Sequence, residues 1–179
     1  SQAVQELTKK IKEEPSLTVD QVVGELSTVP EEQLGKIAEK DGWALYMPHT
    51  TQASCELGKT GGRRDTTWCT TRTDVDNLFL RYVGSGDDDV VLFYVIKKGV
   101  NADKDPFAKM SVGFLNGKIK FFARKGGGNI TVNAENKNLS ETQFRSALGD
   151  ELADYFINIM KQRVKVVGTN HPAKQEMQM

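Results

Sequence analysis

Residues 109–124 read KMSVGFLNGKIKFFAR, and this stretch gives the clearest indication of the fold. Asn116-Gly117 between two apolar-rich segments is the strongest short-range signal for a β-hairpin, and it predicts a two-residue type I′ turn. We therefore predict antiparallel strands over Phe107–Phe114 and Lys118–Ala123, with Leu115 opposite Lys118. This register places one set of side chains on a common core face: Met110, Val112, Phe114, Ile119, Phe121 and Ala123.

Further strands are predicted on both sides of this hairpin. Val90–Ile96 (VVLFYVI) is apolar without alternation, which is typical of a strand buried on both faces. Trp43–Met47 and Asn129–Val132 are weaker candidates. Because helical patterns precede and follow these strands, the predicted class is α+β: an antiparallel sheet of about four to five strands with a helical N-terminal module and C-terminal helices.

The predicted organisation has three parts. Residues 1–41 carry short amphipathic patterns and form a helical N-terminal module, whose last helix begins at Thr28 with Glu31 and ends near Asp41-Gly42. Residues 42–167 form the α+β core domain, in which Ser140 and Gln143 make a capping box ahead of the C-terminal helices. Residues 168–179 lack periodicity and are expected to be a flexible tail.

The amino-acid composition excludes several classes of protein function. The chain has 179 residues, with 24 basic and 24 acidic side chains, so a wholly basic nucleic-acid coat and an acidic DNA mimic are both excluded. The longest apolar run has seven residues, against the roughly 20 that a membrane helix needs. The N-terminal residues lack the apolar core of a signal peptide, so export is not expected, and two cysteines are too few for a disulfide scaffold. We therefore expect a cytoplasmic protein without a membrane partner.

The neutral total conceals an uneven distribution of charge. Residues 1–41 hold five basic and nine acidic side chains, whereas residues 59–125 hold thirteen basic and eight acidic ones. Within the basic centre, residues 59–72 (KTGGRRDTTWCTTR) form a polar loop that we call the basic loop. Its candidate binding residues are cations that suit a phosphate or carboxylate and an aromatic ring that suits stacking: Arg63, Arg64, Trp68 and Arg72.

The hairpin offers a second set of binding candidates on the face opposite its predicted core. Here an aromatic ring stands among cations, which is the combination that stacks bases and holds phosphates of a single strand. These candidates are Lys109, Lys120, Phe122 and Arg124. The preferred interpretation is a binding protein whose partner is nucleic acid or an acidic surface on a host protein.

Two alternatives stay open. The first is a transferase-like enzyme acting on a nucleotide-like anionic substrate, with Cys69 as nucleophile and His49 as its base. The second is an interaction protein or inhibitor that binds its partner through the acidic N-terminal helices.

Ala53–Thr60 (ASCELGKT) matches a relaxed phosphate loop, but no buried strand directly precedes it and no helix begins at Lys59-Thr60. The spacing of His and Cys favours no metal site, and no cofactor is predicted.

A set of short motifs adds a resemblance. Leu57-Gly58-Lys59, Thr66-x-Trp68-Cys69-Thr70, Phe79-x-x-Tyr82 and Phe93-Tyr94-x-Ile96 follow Pro48 in that order. The pattern covers about residues 43–123 and resembles a group of mostly uncharacterised proteins of bacteriophages and mobile elements. The resemblance implies a phage or prophage setting, and therefore a location inside the host cell, but it implies no reaction.

Overall fold

The computed structural model describes residues 29–59, 70–71, 77–83, 90–102, 105–124, 136–167 and 170–177. In these residues six strands form one antiparallel sheet in the order β1-β2-β3-β4-β5-β6. The strands are β1 (Lys36–Lys40), β2 (Trp43–Tyr46), β3 (Val90–Lys97), β4 (Lys109–Leu115), β5 (Lys118–Arg124) and β6 (Asn136–Leu139). The helices are α1 (Glu31–Leu34), α2 (Thr51–Lys59), α3 (Phe79–Val83), α4 (Glu141–Leu148), α5 (Asp150–Val167) and α6 (Lys174–Met177), with a 3₁₀ turn over Pro106–Ala108. The predicted α+β class is confirmed.

The hairpin at the centre of the sheet has the predicted register. Leu115 lies opposite Lys118, and both turn residues have positive φ, 49° at Asn116 and 83° at Gly117. Two successive residues with positive φ define a type I′ turn, whose twist matches that of the strands it connects. β3 then pairs with β4 on the other side of the hairpin, so that Tyr94 lies opposite Ser111.

The sheet buries a hydrophobic cluster on each of its faces. On the first face, α4 and α5 cover the larger cluster, in which Phe144 of α4 stacks on Phe121 of β5 with ring centroids 4.5 Å apart. On the second face, α2, α3 and the C-terminal residues cover a smaller cluster that includes Leu57, Phe79 and Ala173. Alternate residues of β3 enter the two clusters, which confirms that Val90–Ile96 is buried on both faces.

The capping box predicted at Ser140 and Gln143 is present at the start of α4. The Ser140 hydroxyl accepts a hydrogen bond from the Gln143 backbone N–H, and the Gln143 side chain accepts one from the Ser140 N–H. Gly149, with φ of 88°, ends α4 and allows the chain to turn into α5. The C-terminal helices therefore form as two segments joined at this glycine.

The prediction that the last helix of the N-terminal module ends near Asp41-Gly42 is wrong, because this helix ends at Leu34. α1 ends there because Gly35 is left-handed, with φ of 69°, and the next five residues form β1. A side chain at Gly35 would meet the Met47 carbonyl oxygen, and the Gly35 carbonyl accepts a hydrogen bond from the Met47 N–H. Pairing of β1 with β2 places residues 36–40 in the sheet, so the core domain begins before residue 42. Residues 1–28 of the predicted module lie outside the described residues.

The C-terminal residues and the edge of the sheet beside β5 both differ from what the sequence predicts. Residues 170–177 were expected to belong to a flexible tail, and this is wrong: His171 and Ala173 are buried, and a short helix follows them. The strand predicted at Asn129–Val132 lies outside the described residues, and β6 occupies the edge of the sheet next to β5. None of the helices in the described residues is long and apolar enough to cross a membrane.

Candidate functional site

The second face of the sheet carries the polar side chains that the hairpin register predicted there. Tyr94 on β3, Ser111 on β4 and Phe122 on β5 form one cross-strand row. The neighbouring row contains Gly113 and Lys120. α2 covers this face at β3. At β5 the face carries an exposed lysine, Lys120, and a half-buried ring, Phe122. The chemistry of the face therefore differs between its β3 end and its β5 end.

A buried hydroxyl network joins α2 to β3. The Ser54 hydroxyl donates to the Thr70 carbonyl oxygen, and its oxygen lies 2.8 Å from the Tyr94 hydroxyl, which in turn lies 2.8 Å from Thr70 Oγ1. Each hydroxyl has one proton, so Tyr94 donates to Ser54 and Thr70 donates to Tyr94. The network therefore joins α2 to β3 and to Thr70 at the end of the basic loop.

Lys109 was predicted as a surface cation, and the structure contradicts this. Its side chain is only 2% exposed, and its ammonium donates a hydrogen bond to the Gly58 carbonyl oxygen near the end of α2. The last carbonyls of a helix lack intrahelical partners and carry partial negative charge, so a lysine is a favourable partner for them. α2 lies over the start of β4, which removes Lys109 from the set of residues open to a ligand.

The two ends of the basic loop come together beside this lysine. The loop leaves α2 at Lys59 and returns at Thr70 and Thr71, both of which are buried. Thr71 packs so closely on Gly58 that a side-chain carbon at Gly58 would lie 2.5 Å from the Thr71 Cβ. Both ends of the loop therefore lie on the second face. The loop residues predicted to bind or react, namely Arg63, Arg64, Trp68, Cys69 and Arg72, lie outside the described residues.

The β5 end of the second face holds the remaining hairpin candidates. Lys120 is exposed, Phe122 is half-buried, and a side chain added at Gly113 would meet no described atom within 4 Å. β6 pairs with β5 only from Phe121 to Arg124, and a shallow cavity of about 460 Å³ opens at the end of this pairing. Its lining residues are Ile119, Lys120, Phe121, Phe122, Leu139 and Glu141. Arg124 is the last residue of β5, and its side chain lies outside what the structure describes.

His49, the candidate base, lies just before α2 and next to α1. Its backbone N–H donates to the Gln33 carbonyl oxygen at 2.9 Å. Burial lowers the pKa of His49, Glu32 opposes this shift and Arg163 adds to it, so the imidazole favours its neutral form. Cys69 lies outside the described residues, so the pairing of His49 with Cys69 stays a prediction. The described stretches bring no three His, Cys, Asp or Glu side chains together as a metal site.

Sequence reasoning missed several residues around α2. Tyr94 was assigned only to a buried strand, although its hydroxyl forms the centre of the polar network. Glu176 and His171 belong to the segment that was expected to be a tail, and Glu176 bonds to Thr51 at the start of α2. No local pattern indicates these contacts, because the partners are separated by as many as 125 positions in the chain.

No protein-family model, curated protein or solved structure matches this chain. The site is therefore interpreted from its own chemistry.

Proposed function

We propose that the protein binds single-stranded nucleic acid on the second face of its sheet, with Phe122 as the stacking residue and Lys120 as a phosphate contact. The basic loop supplies further cations and Trp68 to the same ligand. In keeping with the phage resemblance, the protein would be a small accessory protein that acts inside a bacterial host. It acts by binding, and the proposal assigns it no reaction.

The proposal is supported by the residues at the β5 end of the second face, namely Gly113, Lys120 and Phe122. A half-buried aromatic ring, an exposed lysine and a glycine lie on adjacent positions of β4 and β5, and a side-chain carbon added at the glycine would meet no described atom within 4 Å. A base can lie flat over a glycine and against an aromatic ring, while the lysine holds the backbone phosphate. The ends of the basic loop lie on this same face, which supports a single continuous surface.

An acidic protein surface is the competing partner, and the aromatic ring favours nucleic acid over it. Lysines alone would serve either ligand, because both are anionic. Base stacking requires a ring that is held in place and partly accessible, and Phe122, half-buried on a paired strand, meets both conditions. The Phe122 ring would add less to the affinity for an acidic protein surface than to the affinity for a nucleobase.

The test separates stacking from charge. Fluorescence anisotropy with a labelled oligothymidylate of about 20 nucleotides gives the Kd over a series of salt concentrations. We expect Phe122→Leu to weaken binding by about 5- to 150-fold with an unchanged salt slope, since stacking is worth about 1–3 kcal/mol per base. Lys120→Ala should lower the slope by about 0.7, which is the value for one phosphate contact on a single strand.

Lys161→Ala is the matched control, because Lys161 is an exposed lysine on α5, which covers the first face. It should leave both the Kd and the salt slope unchanged. If Phe122→Leu binds as tightly as the parent protein, or if Lys161→Ala weakens binding as much as Lys120→Ala, the proposed surface is wrong. Retention of an acidic protein with no affinity for the oligonucleotide would favour the competing partner.

A further inference from the structure

The C-terminal residues 170–177, which we call the strap, pack across the start of α2. Ala173 has no exposed surface and belongs to the smaller cluster with Phe79 of α3. The Glu176 carboxylate accepts a hydrogen bond from the Thr51 hydroxyl at 2.7 Å and from the Thr51 backbone N–H at 3.2 Å. Thr50 caps α2 locally, since its hydroxyl accepts a hydrogen bond from the Ala53 N–H at 3.1 Å. Glu176 of the strap adds an acceptor, and a negative charge, for the Thr51 N–H in the first turn.

His171 fixes the first turn of the strap through its neutral form. Its side chain is 4% exposed, and Nδ1 accepts a hydrogen bond from the Ala173 backbone N–H at 3.0 Å. The accepting nitrogen has no proton, so the proton of the neutral ring is on Nε2. Nε2 has no hydrogen-bond partner in the part of the chain that the structure describes. Adding a second proton would place an N–H on Nδ1 directly against the N–H of Ala173.

The groups around His171 also disfavour its charged form. Burial, followed by the charges of His49 and Lys174, lowers the pKa of His171 to about 4. His49 in turn faces Glu32 from α1 and Arg163 from α5. The carboxylate of the strap, Glu176, is engaged with Thr51. A cationic His171 would therefore lose its bond to Ala173 and lie near a second cation, Lys174.

We propose that the strap is a latch that protonation of His171 opens. Opening breaks the His171–Ala173 bond, withdraws Glu176 from the start of α2 and uncovers the apolar cluster around Phe79. Because that cluster lies on the second face of the sheet, the latch would control how much of this face is exposed. This inference does not depend on the proposed ligand.

Hydrogen exchange of the full chain, followed by NMR from pH 7 to pH 4 and corrected for intrinsic exchange, tests the latch. We expect the protection of the Ala173 and Thr51 amides to fall together by roughly 20-fold between pH 7 and pH 5, as linkage predicts from pKa values of 6.5 and about 4. The amides of β3 exchange through global unfolding, so their protection should fall with the stability of the protein and yet stay well above that of the strap at every pH. If the strap and β3 have equal protection at pH 5, acid unfolds the whole protein and the latch is wrong.

Two variants distinguish His171 from Glu176 as the group that senses pH. In His171→Asn the side-chain oxygen replaces Nδ1 as acceptor without titrating, so the strap should stay protected at pH 5. Glu176→Gln keeps an acceptor for Thr51 without a titrating carboxylate, so its strap should still open on acidification. A pH response that survives in His171→Asn, or one that disappears in Glu176→Gln, would overturn the proposal.

Discussion

Lys109 and Lys120 lie on the same face of one hairpin, and the structure gives them opposite surroundings. Lys109 is buried under α2 and bonded to the Gly58 carbonyl oxygen, whereas Lys120 is exposed. Alternation along the strand identifies the face of a side chain but not what covers that face. The two lysines consequently have different roles, one in holding α2 on the sheet and the other at the candidate binding surface.

This difference predicts a difference in stability. Lys109→Ala should lower the free energy of unfolding by about 2–4 kcal/mol, because it removes a buried hydrogen bond and leaves a cavity. Lys120→Ala should change it by less than about 0.5 kcal/mol, as is usual for an exposed side chain. Urea unfolding of both variants measures these effects, and equal effects at the two positions would contradict the role given to Lys109.

Gly58 gives a second prediction for a single residue. Alanine in place of glycine inside a helix ordinarily stabilises a protein by up to about 1 kcal/mol. At Gly58 the added carbon would lie 2.5 Å from the Cβ of Thr71, which is only 1% exposed and so has little room to move. Gly58→Ala should therefore lower the free energy of unfolding by about 1–3 kcal/mol.

Gly113→Ala is the matched control, since nothing in the described residues lies within 4 Å of the added carbon. Thermal or urea unfolding should show no loss of stability in this variant. If Gly58→Ala is as stable as Gly113→Ala, then Thr71 does not pack on α2 as described, and the position of the loop ends is wrong.

Among the elements, the hairpin was predictable because its information is local. Asn116-Gly117 specifies the turn, the turn specifies the register, and the register specifies the core face. The end of α1 was not predictable in this way. Ile37 and Ala38 fit a helical pattern, but a left-handed Gly35 against Met47 and pairing with β2 make the segment a strand. Tertiary contacts outweigh a weak local preference over so short a segment.

The strap was not predictable for a related reason. Its helix has only four residues, and its contacts with Thr51 and the cluster around Phe79 are distant in the sequence. A short polar segment that lacks periodicity shows nothing of such contacts. The candidate site is likewise partly predictable: Lys120 and Phe122 follow from the register, whereas the burial of Lys109 depends on where α2 packs.

The strap also predicts how stability depends on pH. The pKa of His171 is about 4 in the folded protein and 6.5 in an unfolded chain, so the unfolded chain binds more protons between these values. The free energy of unfolding should therefore fall as the pH decreases from 6.5 to 4. The loss reaches about 3 kcal/mol at most and is smaller if the strap opens first, because an open strap relieves the unfavourable protonation.

Urea unfolding at pH 7, 6, 5 and 4 measures this dependence. His171→Asn should remove most of the decrease, while His49→Asn should leave most of it in place, because burial of His171 is its main cause. Stability that rises toward pH 4, or an equal effect of the two substitutions, would contradict the burial of a neutral His171.

For the whole molecule, the sequence indicates an α+β fold with an antiparallel sheet, and the structure adds that each face of this sheet buries a hydrophobic cluster. The first face is covered by α4 and α5, whereas the second face is covered by α2, α3 and the strap near β3; at Gly113 no described residue lies within 4 Å of an added side-chain carbon. Neutral net charge is compatible with this arrangement, because a binding surface depends on local charge. We expect the β5 end of the second face and the basic loop to bind one ligand.

Photo-crosslinking shows where a bound oligonucleotide contacts the protein, and it therefore tests this expectation. An oligonucleotide of about 20 nucleotides containing 5-iodouracil is bound to the full chain and irradiated, and the modified residues are identified by mass spectrometry. We predict crosslinks at Phe122 and at Trp68 of the basic loop, with none on α5. Crosslinks confined to α5, or to residues 1–28 without Phe122 and Trp68, would contradict the claim that the second face is the binding surface.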